Sequence, residues 1–225
     1  MNDNNNEGGK KFGMDLKIII VGDLSTGKTS IINRYIKGNF EQLNKATIAP
    51  EFSYKIINRK DVIYRIQFWD IPGQNRSSEL TSVFCRDTQG IIFCADSNRI
   101  ESRNSVSKWE DCIKEFNDIK DVPKIIIENK CDLLGDESHY NDNFNSLKEF
   151  SDNHGYLGYF RTSALTGYNI NEAIDFLIEE IIKSMNEEDI QYYNSKIIKI
   201  DNSINSNNEK NRCCWIYIFL YCSFL

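Results

Sequence analysis

The stretch "GDLSTGKT", Gly22 to Thr29, constrains the fold more than any other part of the chain. It fits the pattern G-x-x-x-x-G-K-[ST]. It lies between "LKIIIV", a short β-branched run that reads as a buried strand, and "SIINRYIK", which reads as a helix. A strand, a glycine-bearing turn and a helix in that order bring backbone N–H groups and a helix N-terminus to one point, which is what a dense cluster of phosphate charge requires. Lys28 is placed to reach β- and γ-phosphates, and Thr29 to offer its hydroxyl to Mg²⁺. The loop alone leaves open ATP or GTP, and a kinase, a motor or a switch.

The text that follows repeats this alternation. "EFSYKIINR" and "VIYRIQFWD" read as consecutive strands around a polar "NRKD" turn, and "GIIFCAD", "PKIIIENKCD" and "LGYFRTSA" as three more. "SVSKWEDCIKEF" and "NSLKEFSDNHG" read as helices, the second ending at Gly155. Ile170, Ala173, Ile174, Leu177, Ile178, Ile181 and Ile182 recur at helical spacing and make one apolar face. Six strands interleaved with helices predict an α/β fold, a mostly parallel six-stranded sheet with helices on both faces. The chain has 225 residues, 40% of them hydrophobic, enough for one compact domain with tails. A net charge of -6 argues against a nucleic-acid binder. Seven cysteines without a C-x-x-C pair, beside only two histidines, argue against a zinc site or a disulfide framework.

Two further motifs choose among the nucleotides. "NKCD", Asn129 to Asp132, follows a predicted strand. The Asp132 carboxylate would accept two hydrogen bonds from the N1–H and 2-amino groups of guanine, a donor pair that adenine lacks. Asn129 would bond the base edge and Lys130 lie along the ring, while backbone N–H groups in "TSA", Thr162 to Ala164, would meet the guanine O6. Alone, "NKCD" is a plausible solvated loop; after a phosphate loop, in this order, it is a strong signal. "WDIPGQ" places Asp70 at the end of a strand to hold Mg²⁺ through a water, Gly73 to give its N–H to a γ-phosphate, and Gln74 to orient an attacking water.

With "GDLSTGKTS", "TIAPEF", "WDIPGQ", "NKCD" and "TSA" in family order, the chain resembles the small GTPases of the Ras superfamily over roughly Asp15 to Lys183, and more narrowly the Rab family. "KTSIINRYIKGNF" and the tryptophan before Asp70 carry the Rab likeness; Leu24 in the loop, "KTSIINRY" and "WDI" resemble the subgroup linked to lysosome-related organelles. The resemblance implies a P-loop GTPase fold and a GTP/GDP switch that needs Mg²⁺, hydrolyses GTP to GDP and phosphate, and recruits effectors in intracellular membrane traffic. It implies that Gly22, Asp23, Leu24, Ser25, Thr26, Gly27, Lys28, Thr29 and Ser30 line the phosphates, with Thr47 and Gly73 closing on the γ-phosphate. It further implies that Thr29, Thr47 and, through water, Asp70 serve the metal, and that Gln74 is catalytic. Phe40, Asn129, Lys130, Asp132, Ser163, Ala164 and Leu165 would surround the guanine, and Phe52, Trp69 and Phe84 would be the aromatic triad shown to effectors. Exchange factors, GTPase-activating proteins and a GDP-dissociation inhibitor are the implied regulators. The implied location is the cytoplasmic face of an intracellular membrane, in exchange with the cytosol.

Several positions depart from the family pattern. Leu24 and Ser25 occupy loop positions where fast hydrolysers tend to carry smaller residues, at least at one of them, Pro72 stands where alanine is usual and fixes φ, and Asn75 and Ser77 replace a Glu and an aromatic. Ala49-Pro50 should stiffen the first switch, and Leu165 removes a cation near the base. None removes a phosphate, metal or guanine group, so binding is expected intact and unaided hydrolysis slow, on the order of 10⁻⁴ to 10⁻² per second. The alternative from another class is a nucleotide-locked binding module with little hydrolysis, because of Leu24 and Pro72. A P-loop kinase would leave "NKCD" unexplained.

The organisation expected is a disordered arm over residues 1–14, a GTPase domain over 15–185, a flexible polar tether over 186–212 and an apolar, cysteine-containing membrane-anchor tail over 213–225. Thirteen helical residues span about 20 Å, short of the ~30 Å hydrocarbon core, so the tail reads as a lipid anchor. Prenylation falls on Cys213 and Cys214, a Rab-like pair after a tether, or alternatively on Cys222 in a C-terminal C-a-a-X spacing.

Overall fold

The structure is a computed structural model that describes residues 14–41, 47, 49–59, 62–74, 84–116, 119, 121–134 and 141–185, with backbone only at 141–146. The expectations placed on residues 1–13, on Asn75 and Ser77, on the tether and on the tail with Cys213, Cys214 and Cys222 lie outside the described residues.

Six strands are present: β1 (Asp15–Val21), β2 (Glu51–Arg59), β3 (Val62–Asp70), β4 (Gly90–Asp96), β5 (Lys124–Asn129) and β6 (Gly158–Arg161). They form one sheet in the order β2-β3-β1-β4-β5-β6. β1 runs parallel to both β3 and β4, and β5 parallel to β4 and β6. Four helices among the described residues accompany them: α1 (Lys28–Lys37), α2 (Ile100–Lys114), α3 (Asn141–Asn153) and α4 (Ile170–Ser184). The chain therefore has the expected α/β architecture of a P-loop GTPase fold. By contacts residues 15–57 and 65–184 form one unit, which carries every site residue used below.

The pleat of β1 sorts its side chains. Ile19 and Val21 join Ile91, Phe93 and Ala95 of β4 in a core cluster completed by Val106, Trp109 and Ile113 of α2 and Leu147 of α3. On the opposite face α4 packs so close that a side chain at Gly90 would stand 2.5 Å from the Ile181 Cδ1 and 3.5 Å from Ile18. Ala173, Ile174, Leu177 and Ile178, which share one stripe of α4, are fully buried, as the periodicity predicts. Two helices differ from their expected bounds. α2 begins at Ile100 rather than at Ser105, because Ser102 and Ser105 are buried and the Ser102 hydroxyl accepts from the Asp96 N–H at 2.9 Å, extending the helix through residues that read as polar. α3 spans Asn141–Asn153 rather than 145–155, and beyond it Gly155 takes φ 69°, with the Tyr156 N–H returning to the Ser151 carbonyl at 3.2 Å.

Because β1 feeds neighbours on both sides, its carboxyl end is the point where connections diverge and a crevice opens. The phosphate loop occupies that point, and the loops after β3, β4, β5 and β6 open at the same end.

Candidate nucleotide-binding site

The loop from Gly22 to Gly27 is shaped by close backbone approaches. Gly22 has φ 147°, and a Cβ there would stand 2.2 Å from the Cys94 carbonyl oxygen of β4. Gly27 has φ 95°, and a Cβ would stand 2.3 Å from the Asn129 side-chain amide. Ser25 is left-handed at φ 62° with its side chain exposed. Thr26 is fully buried; its hydroxyl donates to the Asp23 carbonyl at 2.9 Å and its own carbonyl accepts from Asn129 Nδ2 at 3.0 Å. Lys28, the first residue of α1, is buried, and its ammonium donates to the Gly22 and Asp23 carbonyls at 2.9 and 3.0 Å. Burial holds its pKa below the usual lysine value. This cation, curled over the loop mouth, is placed to transfer its bonds to phosphate oxygens.

The metal expectation meets a fitting donor set. The Thr29 hydroxyl donates to Asp70 Oδ2 and lies 3.0 Å from the Thr47 hydroxyl. Asp70 is buried, and burial raises its pKa. Its other oxygen, Oδ1, has no hydrogen-bond partner among the described residues. Two hydroxyls and a carboxylate that come together, with the second carboxylate oxygen buried and unpartnered, suit a small divalent cation. Gly73 approaches the loop backbone so closely that a Cβ would stand 2.3 Å from the Leu24 nitrogen and 2.5 Å from the Asp23 carbonyl carbon. Pro72 is buried and Gln74 exposed.

At the other end, side chains do the holding. Asn129 ends β5, 1% exposed, and accepts from the Ala164 N–H at 3.0 Å and the Thr162 hydroxyl at 3.3 Å while donating to Thr26. One amide thus ties the phosphate loop to the loop after β6. Lys130, left-handed at φ 66°, donates to Asp96 Oδ2 at 2.7 Å, and the Ser163 hydroxyl donates to Asp132. Phe40 is 36% exposed and Leu165 51%, apolar surfaces at the positions expected to flank a base. Phe52, Trp69 and Phe84 form a continuous aromatic row, with ring centroids 5.5 and 5.8 Å apart.

Sequence reasoning missed the supports. Trp109 of α2 donates its indole N–H to Asp23 Oδ1 at 3.0 Å, and Arg99 donates to the Leu24 carbonyl at 2.6 Å. Glu128, 1% exposed, lies 2.5 Å from Arg103 Nε and accepts from the Tyr159 hydroxyl. No local pattern marks these residues, because each acts across 31 or more positions of chain apart from the Arg103 contact.

A family model described as the Ras family matches residues 17–183. The chain is 33% identical over 205 residues to the Ras-related protein Rab-32 of Sus scrofa, covering 88% of each chain. It is 35% identical over 175 residues to Rab-32A of Dictyostelium discoideum, covering 75% of this chain and 78% of that one. The chain belongs to the Ras family, among its Rab small GTPases. The Rab-7L1 protein of Homo sapiens is 31% identical over 176 residues, covering 76% of this chain and 85% of the relative. The subgroup that Leu24 and "WDI" resemble fits the Rab-32 relatives. This Rab is accordingly a GTP- and GDP-binding GTPase that acts with effectors and regulators in membrane traffic.

Proposed function

We propose that this Rab is a slowly hydrolysing, Mg²⁺-dependent switch whose two states are distinguished at Thr47 and Gly73. The observation that carries the reading is the convergence of Thr29, Thr47 and Asp70, with the Gly73 backbone pressed against the phosphate loop. Thr29, Thr47 and, through a water, Asp70 would hold Mg²⁺, which supplies charge neutralisation between the β- and γ-phosphates. Lys28 binds the β- and γ-oxygens, Ser30 the α-phosphate, and the loop amides from Asp23 to Thr29 the remainder. Gly73 gives its N–H to the γ-phosphate, and Gln74, exposed beside it, orients the attacking water. Asp132, Lys130, Asn129, Phe40 and residues 163–165 select guanine. Loss of the γ-phosphate releases Thr47 and Gly73, and the Phe52–Trp69–Phe84 row reports the change to effectors.

We attribute slow turnover to Leu24. Its backbone lies beside Gly73 and its carbonyl accepts from Arg99, and a leucine side chain at this loop position would crowd the approach of Gln74 or an incoming arginine. An exchange factor, an activating protein and a GDP-dissociation inhibitor then set the cycle between membrane and cytosol, through a C-terminus prenylated at Cys213 and Cys214 or at Cys222. The domain plan proposed is an arm over 1–14, a GTPase domain over 15–185, a tether over 186–212 and an anchor over 213–225. Single-turnover hydrolysis of GTP by the full chain tests the reading. The expected rate is on the order of 10⁻⁴ to 10⁻² per second, rising at least tenfold in L24G. Fast unaided turnover, or no gain in L24G, refutes the assignment of Leu24. A rate below detection that an activating protein leaves unchanged favours the nucleotide-locked module instead.

A further inference from the structure

Arg34 has been given no role so far; it lies in the last turn of α1. Its guanidinium donates three hydrogen bonds, all to backbone carbonyls. Nε reaches the Ala164 oxygen at 2.8 Å, Nη2 the Leu165 oxygen, and Nη1 the Gly38 oxygen at 2.9 Å. The first two acceptors lie 130 and 131 residues away, in the loop expected to meet the base. The third is the cap of α1, whose own N–H returns to the Arg34 carbonyl at 2.9 Å, two residues before Phe40. One planar fork therefore fixes both apolar flanks of the base site, a task that suits Arg and not Lys.

The geometry of a trans peptide gives this clamp a direction. Within one peptide unit the C=O and the following N–H point opposite ways. Pinning the Ala164 carbonyl towards α1 therefore turns the Leu165 N–H away from α1. The neighbouring amides are already committed: the Ala164 N–H to Asn129 Oδ1 at 3.0 Å and the Thr166 N–H to the Ser163 hydroxyl at 3.1 Å. We infer that Arg34 is a positioning residue for the guanine carbonyl, orienting the Leu165 N–H as the donor that the O6 atom meets. The inference rests on the proposed reading that residues 163–165 select guanine.

The test compares GDP with 6-thioguanosine diphosphate on the full chain, by competition against a fluorescent GDP. The thio analogue keeps the N1–H and 2-amino donors for Asp132 and replaces O6 with a poor acceptor. The wild type is expected to prefer GDP by about 3- to 10-fold, the worth of one hydrogen bond. In R34K the single ammonium holds at most one carbonyl. The GDP affinity falls by a similar factor while the thio analogue is little affected, so the preference collapses towards one. R34Q, which keeps a shorter donor, is the second variant and gives the same collapse. Equal weakening of both diphosphates, or no change in either, overturns the inference and leaves Arg34 as a brace of the fold. No preference in the wild type overturns the underlying O6 reading itself, and the inference with it.

Discussion

At the phosphate end of the cleft the backbone makes the site; at the base end the side chains do. Gly22, Gly27 and Gly73 each stand where a Cβ would come within 2.3 Å of a neighbouring atom, so the loop shape is dictated by what is missing from those residues. Asn129, Asp132, Lys130 and Arg34 build the other end through bonds to one another's loops. The first kind of site tolerates no added atoms. The second tolerates substitution in proportion to the bonds each side chain makes. The two ends meet at Thr26 and Asn129, where one hydrogen bond of 3.0 Å crosses between them.

That contrast orders the expected effects. Gly22→Ala meets both a positive φ and a backbone carbonyl that cannot yield, and should cost on the order of 3 kcal/mol or more, measured by denaturant unfolding. A near-neutral result would show that the loop accommodates side chains after all. Asn129→Ala leaves Thr26 and Ala164 groups unpaired in a buried site. It should lose about 2–3 kcal/mol and release nucleotide faster from both ends, read as the dissociation rate of a fluorescent GDP. If only the base contributes, the crossing bond is unimportant. Trp109→Phe removes one hydrogen bond to Asp23 and leaves a small cavity in the core, and should cost about 2 kcal/mol in the same unfolding assay.

The smallest effect at neutral pH concerns Cys94, whose thiol lies under the phosphate loop, 3.6 Å from the Thr26 carbonyl, and is pushed up by burial to about 11. Below pH 9 folded and unfolded chains both keep this proton, so it gives no slope. Between about 9 and 11 only the unfolded thiol ionises. The unfolded state then binds fewer protons, and stability falls as pH rises, by roughly 1 kcal/mol per unit. C94A should remove that component of the alkaline slope; an unchanged slope would place the titration elsewhere.

The contrast also explains what a reader of the sequence could see. Backbone-made sites leave a glycine spacing, so the loop, its strand and its helix were legible from Leu16 to Lys37. The string "NKCD" was legible because three side chains proposed to contact guanine fall within four consecutive residues. The braces were not. Arg34, Arg99 and Trp109 act across 130, 75 and 86 residues, and nothing local distinguishes them from surface or core residues of a helix. The sequence pattern starts α2 late for a related reason: buried serines satisfied by backbone groups look solvent-facing in one dimension.

The most direct test of the two-ended account is the discrimination between GDP and ADP by the wild type and by D132A, with competition against a fluorescent GDP on the full chain. The account predicts at least a hundredfold preference for GDP in the wild type. In D132A that preference should fall towards one through weaker GDP binding, while the affinity for ADP, carried by the phosphate loop, stays the same. A preference that survives in D132A, or a matching loss of affinity for ADP, would contradict the division of labour between backbone and side chains.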